Sequence, residues 1–225
     1  MIIEDRLPRE TAREYALRQL KENIISLQLE PGSMVSENEI AAQLGISRTP
    51  VREALIELSR VNIVEILPQK GSRIMLIDYA MVEESRFLRL VLEREVAKVL
   101  CTMEEIPDLS FLEEIIRLQS FYIEHSNPEK LLELDNQFHA LLFQLANKVQ
   151  CYGWMIEGLT IHFDRVRAMS LNAIKDIKIV SDHQAIAEAI KQRDAELAGQ
   201  LMEEHLSRYK IDESAIREKY PTYFR

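Results

Sequence analysis

Apolar residues recur every three to four positions along most of the chain, and one short stretch breaks this pattern. Residues 11–29 keep apolar side chains on one helical face, so they predict a first helix, which Pro31 and Gly32 end. Residues 63–67 and 72–76 are runs of β-branched and apolar residues on either side of the turn-forming sequence PQKG. These two runs predict a β-hairpin within an otherwise helical chain.

Two short helices joined by a tight turn are predicted by the sequence SENEIAAQLGISRTPVREALIELSR. Ser36 and Glu39 have the spacing of a capping box, so the first of these helices is expected to begin at Ser36. Gly45 is expected to end it, because glycine adopts a positive φ without steric cost. In the second helix Ser47 is the N-cap candidate, and Pro50 occupies the first turn, where proline is tolerated.

The second helix of this pair leaves Arg48, Thr49 and Arg52 near its exposed N-terminal end. A guanidinium there can reach a guanine edge or a phosphate, and a hydroxyl can reach a phosphate. An ordinary helical hairpin with exposed arginines would show the same pattern. The β-hairpin that follows favours DNA binding, because it predicts a wing with Lys70 and Gly71 at its tip.

The predicted domains follow from the point at which this hairpin ends. Residues 1–76 are predicted to form a winged helix–turn–helix domain, 77–80 a linker, 81–213 an all-α bundle, and 214–225 a tail that is mobile or packed on a partner. Six helices are predicted in the bundle, near residues 80–103, 109–125, 128–147, 150–170, 174–192 and 194–213. The predicted fold class is therefore mainly α: three helices and a small β-hairpin, followed by an antiparallel helical bundle.

The formal net charge of −9 is unusual for a protein that binds DNA. The charge is uneven, because residues 1–76 carry 10 Lys and Arg against 11 Asp and Glu, and residues 77–225 carry 18 against 26. Residues 46–76 carry 5 against 3, a net charge of +2. One chain therefore offers few phosphate contacts, and a dimer would double them.

The cysteines and the hydropathy indicate where the protein works. Cys101 and Cys151 have neither a zinc-finger nor a disulfide-framework spacing. No apolar run is long enough to span a bilayer, and the N-terminus lacks a signal-peptide core. These features predict a protein of the reducing cytoplasm with no membrane partner.

Four polar residues fall on helix faces that otherwise point to the core: Asp135, His139, His183 and His205. Asp135 and His139 are four residues apart and so project from one helix face. A lone histidine on such a face is usually a satisfied core residue, and His162 either fits that description or borders the same cavity. A shared divalent cation would satisfy all four groups together. Three His and one Asp suit Zn²⁺, Ni²⁺, Mn²⁺ or Fe²⁺ better than Ca²⁺ or Mg²⁺, and Zn²⁺ is the preferred assignment.

Residues 11–76 resemble the winged helix–turn–helix of GntR-type bacterial transcription regulators, most closely in SENEIAAQLGISRTPVREAL and at the Lys70-Gly71 wing tip. Residues 81–213 resemble the all-helical ligand-binding domain of the FadR subfamily, called FCD. The markers of this second resemblance are Arg89 to Glu93 (RLVLE), Asp135 with His139, His183 in SDHQAIAEAI, and His205 in MEEHL.

The resemblance implies a homodimer that binds a palindromic double-stranded operator, with a small carboxylate beside a metal at the Asp/His/His/His site. Arg89 would pair with the carboxylate of this effector, and ligand binding would change the spacing of the two DNA-binding heads. Arg48, Thr49, Arg52 and the wing tip are carried over as DNA contacts. The full set predicted to lie at the DNA is Ser36, Asn38, Ser47, Arg48, Thr49, Pro50, Arg52, Lys70 and Gly71.

Two positions depart from the family or stay open. Some members have a basic residue where this chain has Asn38, which is expected to reach a phosphate or a base through its amide instead. Arg165 is predicted as a further effector residue, although helical phase does not distinguish it from Arg167.

The predicted function is a ligand-responsive transcription regulator rather than an enzyme. The alternatives are a metal-dependent hydrolase and a binding module in which the metal only stabilises the bundle. A hydrolase needs a general base, and no glutamate stands beside the histidines in an HExxH arrangement.

Overall fold

The structure, a computed structural model, describes residues 1–157, 160–173 and 178–225. It forms two compact units, each with its own core. The N-terminal unit comprises Met1–Val82 together with Tyr220–Arg225, and the helical unit comprises Glu83–Lys219. The division falls just after the predicted linker at 77–80.

The N-terminal unit consists of three helices and a small sheet. Its elements are α1 (Ala12–Ile25), β1 (Met34–Val35), α2 (Glu37–Leu44), α3 (Arg48–Arg60), β2 (Val64–Leu67) and β3 (Gly71–Ile74). The predicted β-hairpin is present as β2 and β3, which pair in antiparallel register with Ile66 opposite Ser72. β1 adds a third strand with the order β1-β3-β2, and it was not predicted because a strand of two residues carries no periodicity.

The helix ends of this unit differ from the prediction at two places. α1 ends at Ile25 rather than at residue 29, and Leu27 has a left-handed φ of 64° that cannot continue a helix. Ser36 is the N-cap of α2, but its side chain makes no capping hydrogen bond, so the predicted capping box is wrong. A capping box forms instead at Thr11, at the start of α1. Gly45 ends α2 with a φ of 65°, as predicted.

The core of the N-terminal unit is built between α1 and α3. α1 packs on α3, and the side chains of Leu20 and Ile24 in α1 and of Val51, Leu55 and Leu58 in α3 are each at most 1% exposed. Burial of such a side chain contributes roughly 1.5–3 kcal/mol. This packing fixes the buried face of α3 and leaves its N-terminal polar residues on the surface.

The helical unit is built from eight helices in the described part of the chain. These are α4 (Tyr79–Thr102, which begins in the N-terminal unit), α5 (Ser110–Glu124), α6 (Pro128–Leu145), α7 (Val149–Glu157), α8 (Thr160–Ala173), α9 (Ile179–Lys191), α10 (Ala195–Ser207) and α11 (Tyr209–Lys219). The mainly α fold class with a winged helix–turn–helix and a helical bundle is confirmed.

The predicted count of six bundle helices changes in two regions. The helix predicted at 150–170 corresponds to α7 and α8, and residues 158–159 between them lie outside the described residues. The start of the helix predicted at 174–192 also falls outside them, up to residue 177. The helix predicted at 194–213 corresponds to α10 and the first part of α11. No helix in the described ranges is long and apolar enough to cross a bilayer.

The inward faces of the bundle helices carry both the core and the polar cluster. α6 begins at an Asn127 cap that accepts a hydrogen bond from the Lys130 amide, with Pro128 in the first turn. Phe138 of α6 is fully buried and stacks on the ring of His183 from α9, with the two ring centroids 3.6 Å apart. The apolar packing of α6 therefore also orients a histidine of the cluster.

Residues 214–225, predicted as a tail that is mobile or packed on a partner, form the end of a helix and a segment that contacts its own chain. α11 continues to Lys219, and the last six residues belong to the N-terminal unit. Phe224 forms a parallel bridge with Ile77 and stacks on Tyr79, with ring centroids 5.4 Å apart. Arg225 forms an ion pair with Asp78. The segment packs on its own chain because it offers the ring of Phe224 to Tyr79 at the start of α4 and the cation of Arg225 to Asp78 just before it.

Candidate DNA-binding surface and metal centre

The N-terminal end of α3 presents polar side chains to solvent. Arg48, Thr49 and Arg52 are exposed, as is Ser47 at the N-cap. The Arg48 side chain is 62% exposed, and its Nε donates to Glu37 Oε2 at 2.5 Å. The two terminal nitrogens of a guanidinium can bind a guanine edge bidentately. The position thus suits an arginine that reads DNA.

The other predicted DNA contacts lie on α2, in the first turn of α3 and on the wing. Asn38 is exposed at the start of α2, Ser36 is half-buried, and Pro50 is half-buried in the first turn of α3. Lys70 is exposed in the turn between β2 and β3.

Gly71 has a structural role that the sequence did not indicate. Its φ is +97°, and a Cβ at this position would lie 2.8 Å from the carbonyl oxygen of Val35. That oxygen belongs to β1, which pairs with β3. The bare backbone of Gly71 therefore lets β1 approach the tip of the wing.

The four residues predicted as metal ligands come together in the helical unit. Asp135 and His139 lie on α6, His183 on α9 and His205 on α10, and one ligand atom from each lies within 4.8 Å of all the others. His205 Nε2 is 3.3 Å from both His183 Nε2 and His139 Nε2, and Asp135 Oδ1 is 3.4 Å from His183 Nε2. Four potential ligand atoms thus face one point.

Each histidine of the cluster has an acceptor on its other ring nitrogen. His139 Nδ1 contacts Glu93 Oε2, His183 Nδ1 donates to Gln119 Oε1 at 2.9 Å, and His205 Nδ1 lies 3.3 Å from Asp182 Oδ2. An oxygen acceptor at Nδ1 places the proton there and leaves Nε2 with a lone pair. The three Nε2 lone pairs therefore point at one another.

Burial keeps the three imidazoles uncharged at neutral pH. It lowers the pKa of His183 well below the usual value and that of His205 to about 4. Burial also lowers the pKa of His139, although the carboxylate of Glu93 acts in the opposite direction. A neutral imidazole is the form that binds a metal.

The donor set fits a small divalent cation. Bonds of about 2.1 Å in a tetrahedral site place the ligand atoms roughly 3.4 Å apart. Four of the pairs of ligand atoms in the cluster are 3.3–3.7 Å apart, and every pair lies within 4.8 Å. Asp135 Oδ1 is buried and accepts no hydrogen bond from the described residues. A cation would satisfy this oxygen and the three converging lone pairs at once.

Three arginines predicted or considered for effector binding lie in different surroundings. Arg89 is 3% exposed, and its Nε donates to Glu93 Oε1 at 2.6 Å while Nη1 lies 3.4 Å from Asp164 Oδ1. Arg167 contacts Asp135 Oδ2 and lies 2.6 Å from Asp164. Arg165 is fully buried, with Nη2 3.4 Å from His162 Nδ1, and burial lowers its pKa to about 10.

Helical phase on α8 therefore turns Arg167 toward the cluster. Arg165 faces His162, which is itself buried. The cluster thus gains a cation that the sequence could not place, whereas Arg165, the further effector residue predicted from the sequence, lies beside His162.

Sequence reasoning assigned no role to four other residues of the site, although Glu93 closes the RLVLE marker. Glu93, Gln119 and Asp182 hold the three histidines, and Arg208 forms a two-point ion pair with Asp182. Asp182 directly precedes His183, yet it serves His205, one helix away. Only Glu93, four residues after Arg89 on one face of α4, had a spacing that could have suggested a pair.

Comparisons with known proteins identify two families along the chain. Residues 84–208 match the FCD domain family, and residues 13–74 match the family described as bacterial regulatory proteins, gntR family. The HTH-type transcriptional repressor RspR of Escherichia coli K12 is 31% identical over 226 residues, covering 100% of this chain and 99% of that protein. A regulator from an unstable DNA locus of Streptomyces ambofaciens is 30% identical over 95% of this chain and 90% of its own length.

The solved structures share the fold. Escherichia coli McbR/YncC has a TM-score of 0.78 at 20% identity, with 93% of this chain and 99% of that chain covered. A GntR regulator from Rhodococcus sp. RHA1 has a TM-score of 0.70 at 22% identity, with 92% and 98% covered.

Proposed function

Because the chain belongs to the GntR family of DNA-binding transcription regulators and carries an FCD domain, we propose that a small carboxylate and a metal control its DNA binding. The families and the relatives identify a transcription regulator and not an enzyme, so the hydrolase alternative is rejected. The observation that carries the proposal is the convergence of three neutral imidazole lone pairs and one carboxylate oxygen in the FCD domain.

The DNA-binding part of the proposal rests on the exposed end of α3. Arg48 and Arg52 would read bases or phosphates, and Thr49 would reach a phosphate. Lys70 would approach the minor groove from the wing, and Asn38 would use its amide on a phosphate or base. The local net charge of +2 is small, so we infer that two chains bind a palindromic operator in the cytoplasm as a homodimer.

The DNA-binding assignment is tested by Arg48→Ala and Arg52→Ala, measured by mobility shift on DNA flanking the gene. Each loss is expected to weaken operator binding about 5- to 150-fold, the range for one good bidentate base contact. Arg60→Ala is the matched control, because Arg60 is an exposed arginine at the opposite end of α3. Operator binding that survives the double substitution would show that α3 is not the recognition helix.

The metal would be held by the Nε2 atoms of His139, His183 and His205 and by Asp135 Oδ1. We propose Zn²⁺ as the resident ion, with Ni²⁺, Mn²⁺ and Fe²⁺ as alternatives, because nitrogen-rich donor sets suit these ions. When bound, the ion would act as a Lewis acid toward a carboxylate oxygen. The chain's own contribution is to hold the three rings in the required tautomer through Glu93, Gln119 and Asp182.

Elemental analysis of the purified protein tests the metal site. His139→Ala and His183→Ala are expected to remove most of the bound metal, since each deletes one of four ligands. His125→Ala is the matched control: His125 is exposed, and its ring stacks on Phe121 away from the cluster. Full metal content in the His139 and His183 variants would rule out the proposed site.

The effector is proposed to be a small carboxylate that pairs with Arg89, with Arg165 as a further candidate and Arg167 supported by its contact with Asp135. Regulation requires that this acid bind the two dimer arrangements with different affinity. A thermal-shift screen of small carboxylates on metal-loaded protein tests this, because a ligand of the folded state raises its stability. A metal that raises the melting temperature while no acid does would favour the metal-stabilised binding module.

A further inference from the structure

One buried carboxylate joins the candidate metal centre to the candidate effector arginine. Glu93 is fully buried on α4. Its Oε1 accepts a hydrogen bond from Arg89 Nε at 2.6 Å, and its Oε2 contacts His139 Nδ1. One oxygen of the Glu93 carboxylate thus contacts the candidate effector arginine, and the other contacts a candidate metal ligand.

The other two histidines of the cluster are held differently. His183 is held by the neutral amide of Gln119, and His205 is held by Asp182, whose charge is balanced by the part-exposed Arg208. Among the residues that the structure describes, only Glu93 contacts both a histidine of the cluster and Arg89. Glu93 therefore gives the shorter route between the two sites, through His139, while a longer route runs from Arg89 through Asp164 and Arg167 to Asp135.

We propose that Glu93 is a positioning residue that couples metal binding to carboxylate binding. This inference rests on the proposed function, in which a metal occupies the cluster and an acid pairs with Arg89. Arg89 Nε is committed to Glu93 and Nη1 is directed at Asp164, while Nη2 has no partner among the described residues. Nη2 is the donor that would meet the acid.

The sign of the coupling follows from the shared charge. A carboxylate on Arg89 neutralises part of the guanidinium charge, so the negative charge of Glu93 acts more strongly on the His139 ring. An imidazole whose Nδ1–H points at a more effective anion is a stronger ligand through Nε2. The acid should therefore tighten metal binding, and by linkage the metal should tighten acid binding by the same factor.

The test compares Glu93→Gln with Gln119→Leu in the full-length protein. Co²⁺ is titrated with and without saturating acetate, and its visible absorption reports the ligand set without any DNA. Wild type is expected to bind Co²⁺ about 5- to 150-fold more tightly with acetate, the usual range for coupled sites. Both variants should weaken Co²⁺ binding about 10- to 100-fold, because both remove the acceptor that holds a ligand histidine.

The two variants should differ in the effect of acetate. Gln119→Leu should keep the wild-type tightening factor, because Gln119 does not contact Arg89. Glu93→Gln should reduce it measurably, because a neutral amide carries no charge to share between Arg89 and His139, while direct contact of the acid with the metal and the path through Asp164 would keep the rest. A Glu93→Gln protein that keeps the full factor would overturn this inference alone. A wild type that binds no Co²⁺, or shows no tightening by acetate, would overturn the proposed metal-and-acid function together with it.

Discussion

Replacement of Gly71 by alanine should open the wing. The substitution adds a Cβ 2.8 Å from the Val35 carbonyl oxygen, and this contact is with backbone and cannot be relieved by a rotamer change. The φ of +97° adds a conformational penalty of about 1–2 kcal/mol for any residue with a Cβ. The contact and the conformational penalty together are expected to lower the local stability of the β1-β3 pair by about 2–4 kcal/mol, a range that includes strain from the forced shift of β1.

Gly45→Ala is the matched control for this prediction. Gly45 also has a positive φ, of +65°, but a Cβ there would meet nothing within 4 Å. It should therefore incur only the conformational penalty of about 1–2 kcal/mol. The difference between the two variants isolates the contact with the Val35 carbonyl.

Hydrogen exchange measured by mass spectrometry gives the local opening free energy in the intact protein. Peptides over residues 64–75 should exchange about 30- to 1000-fold faster in Gly71→Ala, since 1.4 kcal/mol is a factor of ten. Peptides from α9 and α10 should not change and serve as an internal reference. The reasoning is refuted if these wing peptides exchange at the wild-type rate, or if Gly45→Ala accelerates them as much as Gly71→Ala does.

Three further outcomes are expected. Thr11→Ala should lower the free energy of unfolding by about 1 kcal/mol, because the Thr11 side chain accepts a hydrogen bond from the Glu14 amide. Ser36→Ala should have almost no effect, because the Ser36 side chain makes no such bond. Urea denaturation followed by circular dichroism compares the two variants, and equal losses of stability would contradict the capping argument. Removal of Tyr220–Arg225 should lower the melting temperature, because it deletes the bridge to Ile77 and an aromatic stack, and an unchanged melting curve would mean that these contacts contribute nothing. EDTA should lower the melting temperature of the metal-loaded protein, because metal at a hundred times its Kd contributes about 2.7 kcal/mol to the free energy of unfolding, and excess Zn²⁺ should restore it. A melting curve that neither reagent changes would argue against a structural contribution from the metal.

The winged unit was largely predictable because its signals are local. Gly45 and the apolar positions of α3 act within one or two turns of their own helix, so spacing was enough to place α2 and α3. Ser36 shows the limit of such reasoning. Its spacing to Glu39 is that of a capping box, but the hydrogen bond depends on a side-chain rotamer, and the box formed at Thr11 instead.

The four residues of the cluster could be proposed from sequence because each lies on an apolar helix face. Asp135 and His139 are one helical turn apart, so a common direction follows from the 3.6-residue period. The roles of the arginines did not follow in the same way. Arg165 and Arg167 are two residues apart and so point to different sides of α8, and only the packing of α8 on α6 turns Arg167 toward Asp135.

The sequence by itself determined which residues carry the chemistry. These are the arginines at the start of α3, and an aspartate and three histidines on core-facing positions, which need either a shared cation or separate hydrogen-bond partners. Helical periodicity and helix-end signals depend on residues that are neighbours in the sequence, so helix faces and helix ends can be predicted from one sequence. The tertiary structure decided that the Nε2 atoms meet, that Glu93, Gln119 and Asp182 hold the rings, and that Glu93 also holds Arg89. Those contacts join five helices across long stretches of sequence, and the rotation and spacing of packed helices are set by the whole core rather than by any local pattern.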